Sequence, residues 1–388
     1  MQCRSAYPFE ESTVSALIAR ADDSSLSSGV AGALVLEARL YSLDPTEQRR
    51  AHIKSAIDAL IRSIQSQELQ INLWAGMVGV LYALEYTRSA CPDLIEDPVA
   101  SFVSQMDDML VDYLCSHRTT LQFDLISGLV GFGAYALMRT CSEAAALIYQ
   151  TVEEALLARA EATPSGLRWR TMPRHLSPIA APSAKQTGHI DFGIAHGQPG
   201  VLLLLAAGLR HGLAKDRALT RSSLEQSASF LMASQQHDLV HSKYPYYDPQ
   251  SHNTASRLAW CYGDVGVGFA LHSAGLAVDS PQLRAFATEL VEARLDQPDE
   301  SFTLSDTGLC HGTLGVAHLI NKMSLNNDSP RMGELLATWR AVQPMSHLDH
   351  GYHQQPDLLD GTAGVLLALS ETPGAGRHRW DTCLCLGF

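Results

Sequence analysis

The chain has 388 residues, 46% hydrophobic and 18% charged, and its 28 Lys+Arg against 41 Asp+Glu leave a formal net charge of -13. This is a well-stocked globular composition, which excludes disorder, and the acidic balance works against phosphate backbones and anionic membranes, so nucleic acid is not an expected partner. Eight cysteines, at positions 3, 91, 115, 141, 261, 310, 383 and 385, are too sparse for a disulfide framework and suit a reducing compartment. The longest apolar run, Gly200 to Leu209, is half of the roughly 20 residues a membrane span needs. The start MQCRSAYPFEES has neither the basic residues nor the apolar core of a signal peptide, so a cytoplasmic protein without membrane insertion is expected.

Taken in chain order, one element recurs seven times: Gly-x-x-Gly followed by a run of Val, Leu, Ala and Phe. The copies begin at Gly29, Gly76, Gly128, Gly197, Gly263, Gly312 and Gly361, spaced by 47, 52, 69, 66, 49 and 49 residues. Each predicts a helix that is apolar nearly all round, as buried helices are. Amphipathic stretches lie between them, with Ile53, Ile57, Leu60 and Ile64 or Val99, Phe102, Met106 and Leu110 at helical spacing, and further ones near 142–160, 217–235, 281–295 and 330–342. The alternation predicts an all-α protein, an α/α toroid of seven inner and about seven outer helices in one domain over 1–388. Two intervals carry about 20 additional residues each. Segments 161–192 and 236–258 are therefore expected as inserted loops, a reduced lid near the rim, the first basic and Pro/Ser-rich, the second aromatic.

The glycines themselves read as structural, since small residues three apart let backbones approach closely. What differs between copies is the pair preceding the first glycine: Ser27-Ser28, Trp74-Ala75, Ile126-Ser127, Ala195-His196, Cys261-Tyr262, Cys310-His311 and Leu359-Asp360. In a closed ring of equivalent hairpins these pairs converge at one end. Cys261 and Cys310 then occupy matching positions in adjacent repeats with His311 alongside, a set of ligands suited to one zinc ion per chain. Three protein ligands leave a fourth position open. Two thiolates and a neutral imidazole cancel the dication's charge, which favours carrying a further thiolate over polarising a carbonyl, so thiol transfer is expected rather than hydrolysis.

The strings WCYGDVG at 260–266, LCHGTLG at 309–315, GIAHGQPG at 193–200 and DLISGLVG at 124–131 resemble the motifs of the lanthionine synthetase C-like family, in particular the stand-alone cyclases of class I lanthipeptide biosynthesis. The Cys-His second motif distinguishes the chain from the bifunctional class II enzymes, which use a third Cys. The resemblance spans all seven repeats. It implies a zinc-dependent cyclase in which a Cys thiolate of a dehydrated precursor peptide adds to dehydroalanine or dehydrobutyrine, a Michael addition that forms a thioether ring. By motif position it makes Cys261, Cys310 and His311 the zinc ligands and His196 the acid/base. It makes Asp124 the group that orients or charge-tunes His196, Arg257 the cation that stabilises the enolate, and Tyr262 the aromatic neighbour. It implies a dehydratase and an exporter of the same pathway as partners, with the protein peripheral to a membrane-associated complex. Cyclases of the nisin type carry a small additional domain, for which the inserts here are short.

Other readings stay open on the residues alone. Asp124 is also a good helix N-cap, Asp360 is a second acid or peptide-binding group on the rim or, more simply, an N-cap, and Arg257 suits a surface ion pair. His347, His350 and His353 form a spaced histidine run whose simplest reading is a solvated loop. A relative could add a glutathione-like thiol to another electrophile, or bind zinc and peptide as a non-catalytic scaffold. A toroid glycosidase would need two carboxylates facing the cavity, which the composition of the rim disfavours.

Overall fold

A computed structural model describes residues 10–19, 22–139, 142–176, 182–248, 255–297, 302–304, 306–327, 329–342, 356–371 and 379–387. The histidine run at His347, His350 and His353 lies outside them. In chain order the helices are α1 (Glu10–Ile18), α2 (Val30–Leu43), α3 (Glu47–Ser66), α4 (Met77–Ala90), α5 (Asp97–His117), α6 (Leu129–Met138), α7 (Glu143–Leu157) and α8 (Pro182–Thr187). There follow α9 (Gln198–His211), α10 (Arg217–Ala233), α11 (Asp264–Ala277), α12 (Pro281–Leu295), α13 (Thr313–Ser324), α14 (Pro330–Val342) and α15 (Thr362–Leu369).

The two layers differ in how their helices start. The helices after each Gly-x-x-Gly (α2, α4, α6, α9, α11, α13, α15) have glycine at the N-cap and no side-chain cap. Their first N–H groups bond instead to the turn that precedes them, as Val30 to the Asp23 carbonyl (2.8 Å), Met77 to Gln70 (2.8 Å), Leu129 to Gln122 (2.9 Å) and Thr313 to Asp306 (3.1 Å). The turn therefore folds back onto the helix, and a Cβ at Gly76 or Gly364 would stand 2.0 Å from the carbonyl six residues earlier. The alternate helices use ordinary caps: Thr46, Ser142, Asp216 and Ser280 accept from the N–H groups of the first turns of α3, α7, α10 and α12. These bury one stripe, such as Ile53, Ala56, Ile57 and Leu60 of α3, whereas α6 and α9 are buried over nearly their whole length.

Packing closes a circuit. α2 packs on α4, α4 on α6, α6 on α9, α9 on α11, α11 on α13, α13 on α15, and α15 returns to α2. α1, α3, α5, α7, α10, α12 and α14 pack against this circuit, α1 spanning α15 and α2. Late in the chain, Arg379–Leu384 forms a 3-10 turn whose Trp380, Cys383 and Leu384 are buried among the first set of helices. The Tyr82 hydroxyl donates to the Trp380 carbonyl (2.7 Å) and accepts from the Cys383 N–H (3.1 Å), and the Trp260 indole donates to the Leu384 carbonyl (3.1 Å). Asp381 is fully buried against His318 and Lys322, each at 2.7 Å.

The chain is not helical throughout. β1 (Glu161–Thr163) and β2 (Gly166–Arg168) form an antiparallel hairpin, and β3 (Ile190–Asp191) pairs with β4 (Tyr247–Asp248), Ile190 opposite Asp248 and Asp191 opposite Tyr247. All four strands fall in the two inserts. At two or three residues they are too short to leave an alternating pattern in the sequence. The β3–β4 pair ties the second insert to the first just ahead of His196.

Candidate functional site

The seven turns meet, as the repeat requires. Backbone bonds join them edge to edge: Ser27 N–H to the Trp74 carbonyl (3.1 Å), Leu125 to Ala195 (3.1 Å), Cys261 to Cys310 (3.4 Å), Cys310 to Leu359 (2.9 Å) and Leu358 back to Ser27 (2.7 Å). These bonds make one arc of repeats five, six, seven, one and two and another of three and four; the arcs meet where Tyr262 donates to Asp191 (2.8 Å) and where Gly131 packs against Leu73, so the variable residues share one rim.

On that rim the candidate ligand atoms of Cys261, Cys310 and His311 lie within 4.8 Å of one another, the two cysteines being buried. Cys310 Sγ is 3.5 Å from His311 Nε2. Tetrahedral zinc, with bonds of about 2.3 Å to sulfur and about 2.0 Å to nitrogen, sets such a pair roughly 3.6 Å apart, which the Cys310–His311 spacing matches. His311 Nδ1 is 3.0 Å from Asp360 Oδ1. This bond leaves Nε2 facing the cysteines, the carboxylate–histidine arrangement that orients ligating imidazoles. Electrostatics also favours a thiolate at Cys261: the hydrogen bond from Cys310, then His311 and Arg257, draws its pKa below the ordinary value against its burial. Cys310, donating to that thiolate, is pushed up, and the bonds to Asp360 and Cys261 lift His311 to about 10.

Across the rim His196 Nδ1 is 2.6 Å from Asp124 Oδ2. Asp124 is buried, whereas the His196 side chain keeps 41% of its surface exposed, so Nε2 is the nitrogen left for a substrate. The other oxygen, Asp124 Oδ1, accepts from the Ser127 N–H (3.0 Å) and hydroxyl (3.2 Å). Asp124 therefore caps its turn and orients the histidine at once. Burial opposes the imidazolium, but the hydrogen bond and charge of Asp124, helped by Asp191 and Cys261, hold the His196 pKa above its ordinary value.

The two remaining predicted residues form a third cluster. Half-buried Arg257 donates from Nε to the Tyr246 hydroxyl (3.4 Å), which also accepts from the Arg257 N–H (3.1 Å). Its charge acts on Cys261 and Cys310. Tyr262 meets Tyr246 edge-on at 5.2 Å and donates its hydroxyl to Asp191 Oδ2 (2.8 Å). Burial lifts the Asp191 carboxyl to about 6, and burial with Asp191 raises the Tyr262 phenol.

The profile of the family described as lanthionine synthetase C-like protein matches residues 20–385. The chain belongs to the lanthionine synthetase C-like family. Among solved structures it is similar to one titled nisin cyclase, with a TM-score of 0.78 over 97% of this chain and 96% of that one at 17% identity, which is a likeness of fold. No curated protein matches it. Among the described residues no helix is long and apolar enough to cross a membrane.

Within this family fold, two residues of the site escape the motif reading. Asp360 had the right place on the rim, and the repeat alignment puts it one repeat beyond His311, which is the signal that finds it. Asp191 lies in the first insert, six residues before Gly197, and no pattern marks its bond to Tyr262.

Proposed function

We propose that this chain is a zinc-dependent lanthipeptide cyclase, one zinc per chain, built as an α/α toroid of seven inner and seven outer helices. The closed circuit of packed helices supports the toroid. The observation that carries the function is the placing of a Cys2His ligand set and an Asp-oriented histidine on the same rim.

Cys261, Cys310 and His311 would hold the zinc, with Asp360 fixing the His311 ring. When bound, the ion supplies Lewis acidity that lets a thiol ionise near neutral pH and stay nucleophilic. His196 has the chemistry to take the peptide thiol proton at Nε2 and to return a proton to the α-carbon once sulfur has added to the β-carbon of the dehydro residue. One C–S and one C–H bond form, one C=C π bond and one S–H bond are lost, and no oxidant or leaving group is required. Asp124 stabilises the imidazolium between those two transfers. The Arg257 guanidinium is the cation available to offset negative charge on the enolate oxygen. Tyr262 is held in place by its hydrogen bond to Asp191 and its edge-on contact with Tyr246. The inserts, joined by β3 and β4, act as a reduced lid. The substrate would come from a separate dehydratase, and the product would pass to an exporter, with the enzyme peripheral to their membrane-associated assembly.

The test is a dehydrated peptide carrying one Cys, incubated with zinc-loaded protein and then with a thiol alkylator. Loss of the alkylation adduct by mass spectrometry, absent with Cys310→Ala, is the expected result. A wild-type protein that holds one zinc and leaves every thiol free would overturn cyclisation and favour a scaffold.

A further inference from the structure

The first insert leaves a concavity that the chemistry above does not use. It has a volume of about 240 Å³ and opens between β1–β2, the turn Pro173–His175 and the segment leading from Thr119 to Phe123, immediately before Asp124. Its charge is unbalanced. Glu161 is the carboxylate that lines it, and already accepts from Arg168 (2.9 Å) and twice from Arg170 (2.9 Å each). Arg159 gives its guanidinium to the carbonyls of Leu121 (2.6 Å) and Arg118, neutral groups that cancel no charge. Exposed Arg174 donates from Nε to His175 Nε2 (3.1 Å). Among the described residues no carboxylate forms an ion pair with Arg159 or Arg174, so the lining sets three guanidiniums, those of Arg159, Arg170 and Arg174, against the one carboxylate of Glu161 on a chain of net charge -13.

Burial is the larger cause lowering the pKa values of Arg159 and His175, and the like charge of Arg174 adds to it, while Asp124 opposes the shift at His175. A bound anion would offset the like-charge part. The wall is also rigid, because buried Trp169 donates its indole N–H to the Leu156 carbonyl (2.7 Å) and its backbone N–H to Gln198 Oε1 (2.7 Å). Gln198 is two residues from His196, and Phe123 adjoins Asp124. The cavity is thus held in fixed relation to both members of the acid/base pair.

We propose that this cavity is a carboxylate subsite that seats an acidic side chain of the peptide substrate beside the rim. Guanidinium donors in a concave wall suit a carboxylate, which they can hold by paired charge-assisted hydrogen bonds. Such a subsite would set which cysteine of an extended peptide reaches the ligand set. The inference rests on the cyclase reading for the identity of the ligand as substrate, but its test does not require turnover.

The probe is an N-terminally fluorescein-labelled, C-terminally amidated peptide, Gly-Ser-Glu-Glu-Ser-Gly, titrated by fluorescence anisotropy against the zinc-loaded full chain. Having neither Cys nor a dehydro residue, it cannot be cyclised, so a failure of cyclisation leaves its result intact, and the Arg174→Gln variant separates the cavity from a carboxylate bound at the open zinc position. Binding at least about 10-fold tighter than that of the Gln-Gln counterpart is expected, since hydrogen bonds to charged groups carry that much selectivity. Arg174→Gln should abolish most of the preference while zinc content and the helical circular dichroism stay unchanged. Equal binding of the Glu and Gln peptides, or a preference that survives Arg174→Gln, would overturn the proposal. So would equal gain from a Gln-Gln peptide with a free C-terminal carboxylate, which would assign the cavity to chain ends instead.

Discussion

Repeats one and two and repeats three to seven build the same turn, yet only the second group carries the residues of the candidate site. In repeat one the polar groups satisfy one another: Ser28 donates to Asp23 Oδ2 (3.0 Å), and Ser25 Oγ accepts from the Ser28 N–H (3.2 Å). In repeat two Asn72 Oδ1 accepts from the Ala75 N–H (2.8 Å). Asp124 occupies the position of Ser25 and Asn72, four residues before the first glycine, and its Oδ1 makes the same bond. The difference is one additional oxygen, Oδ2, free to face the neighbouring repeat and taken by His196. Repeat five departs further. Asp23, Asp191 and Asp306 each cap their own turns from six residues before the glycine, through the N–H groups of Ser25, Gly193 and Gly308. Repeat five has Arg257 there, which cannot accept such a bond, and its Gly263 alone among the first glycines takes a positive φ, +103°. A structural acceptor has been exchanged for a cation whose charge reaches the cysteines. Function arises from surplus or altered valence at positions the fold already defines.

That comparison can be broken most directly at His196, where His196→Asn should retain zinc and the fold but slow cyclisation by about 10² to 10⁴, the range of general acid–base catalysis. Metal retained with the rate unchanged would remove the histidine from the chemistry. Asp360→Asn, which keeps a neutral partner for His311 but removes its charge, is expected to weaken zinc about 10- to 100-fold in a chelator competition. The late segment provides a control lying off the rim. Burial raises the Asp381 carboxyl, but Lys322 and His318 overcome it and hold it at about 2. Its folded pKa is thus below its unfolded one, so its contribution, about 2 kcal/mol, is complete above roughly pH 4 and lost as the pH falls to 2. Denaturant titrations should therefore show wild type ahead of Asp381→Asn at pH 7 and level with it at pH 2. The smallest effect separates the two duties of Asp124. Asp124→Asn preserves an acceptor for Ser127 and should leave stability within about 0.5 kcal/mol, whereas Asp124→Ala should cost about 1 kcal/mol, with cyclisation slowed in both. Equal stability of the two variants would deny the capping role.

The helices and the rim were legible because both depend on period: an invariant turn read seven times, and apolar stripes between the copies. The same logic brought Cys261, Cys310 and His311 together, since adjacent repeats differ by a rotation. What stayed hidden depends on pairing without period. The strands of the inserts are two or three residues long, so β3 meeting β4 left no trace. Cys383 and Cys385 were visible as residues, but nothing local announces that Trp380 and Leu384 bury themselves between Tyr82 and Trp260. Asp191 and Tyr262 lie in different repeats, and their bond follows from a tertiary contact rather than a spacing.

The bond between Leu358 and Ser27 also bears on the order in which the molecule assembles. It joins residues 331 apart, whereas Cys261 and Cys310 are 49 apart. Closing the longer loop costs about 1.7 kcal/mol more in chain entropy, and the first repeat's partner on that side is synthesised last. The ligand set, carried by consecutive repeats, needs no such wait. The seam between the last and first repeats is accordingly expected to close last, sealing a ring whose ligand-bearing arc is already in place.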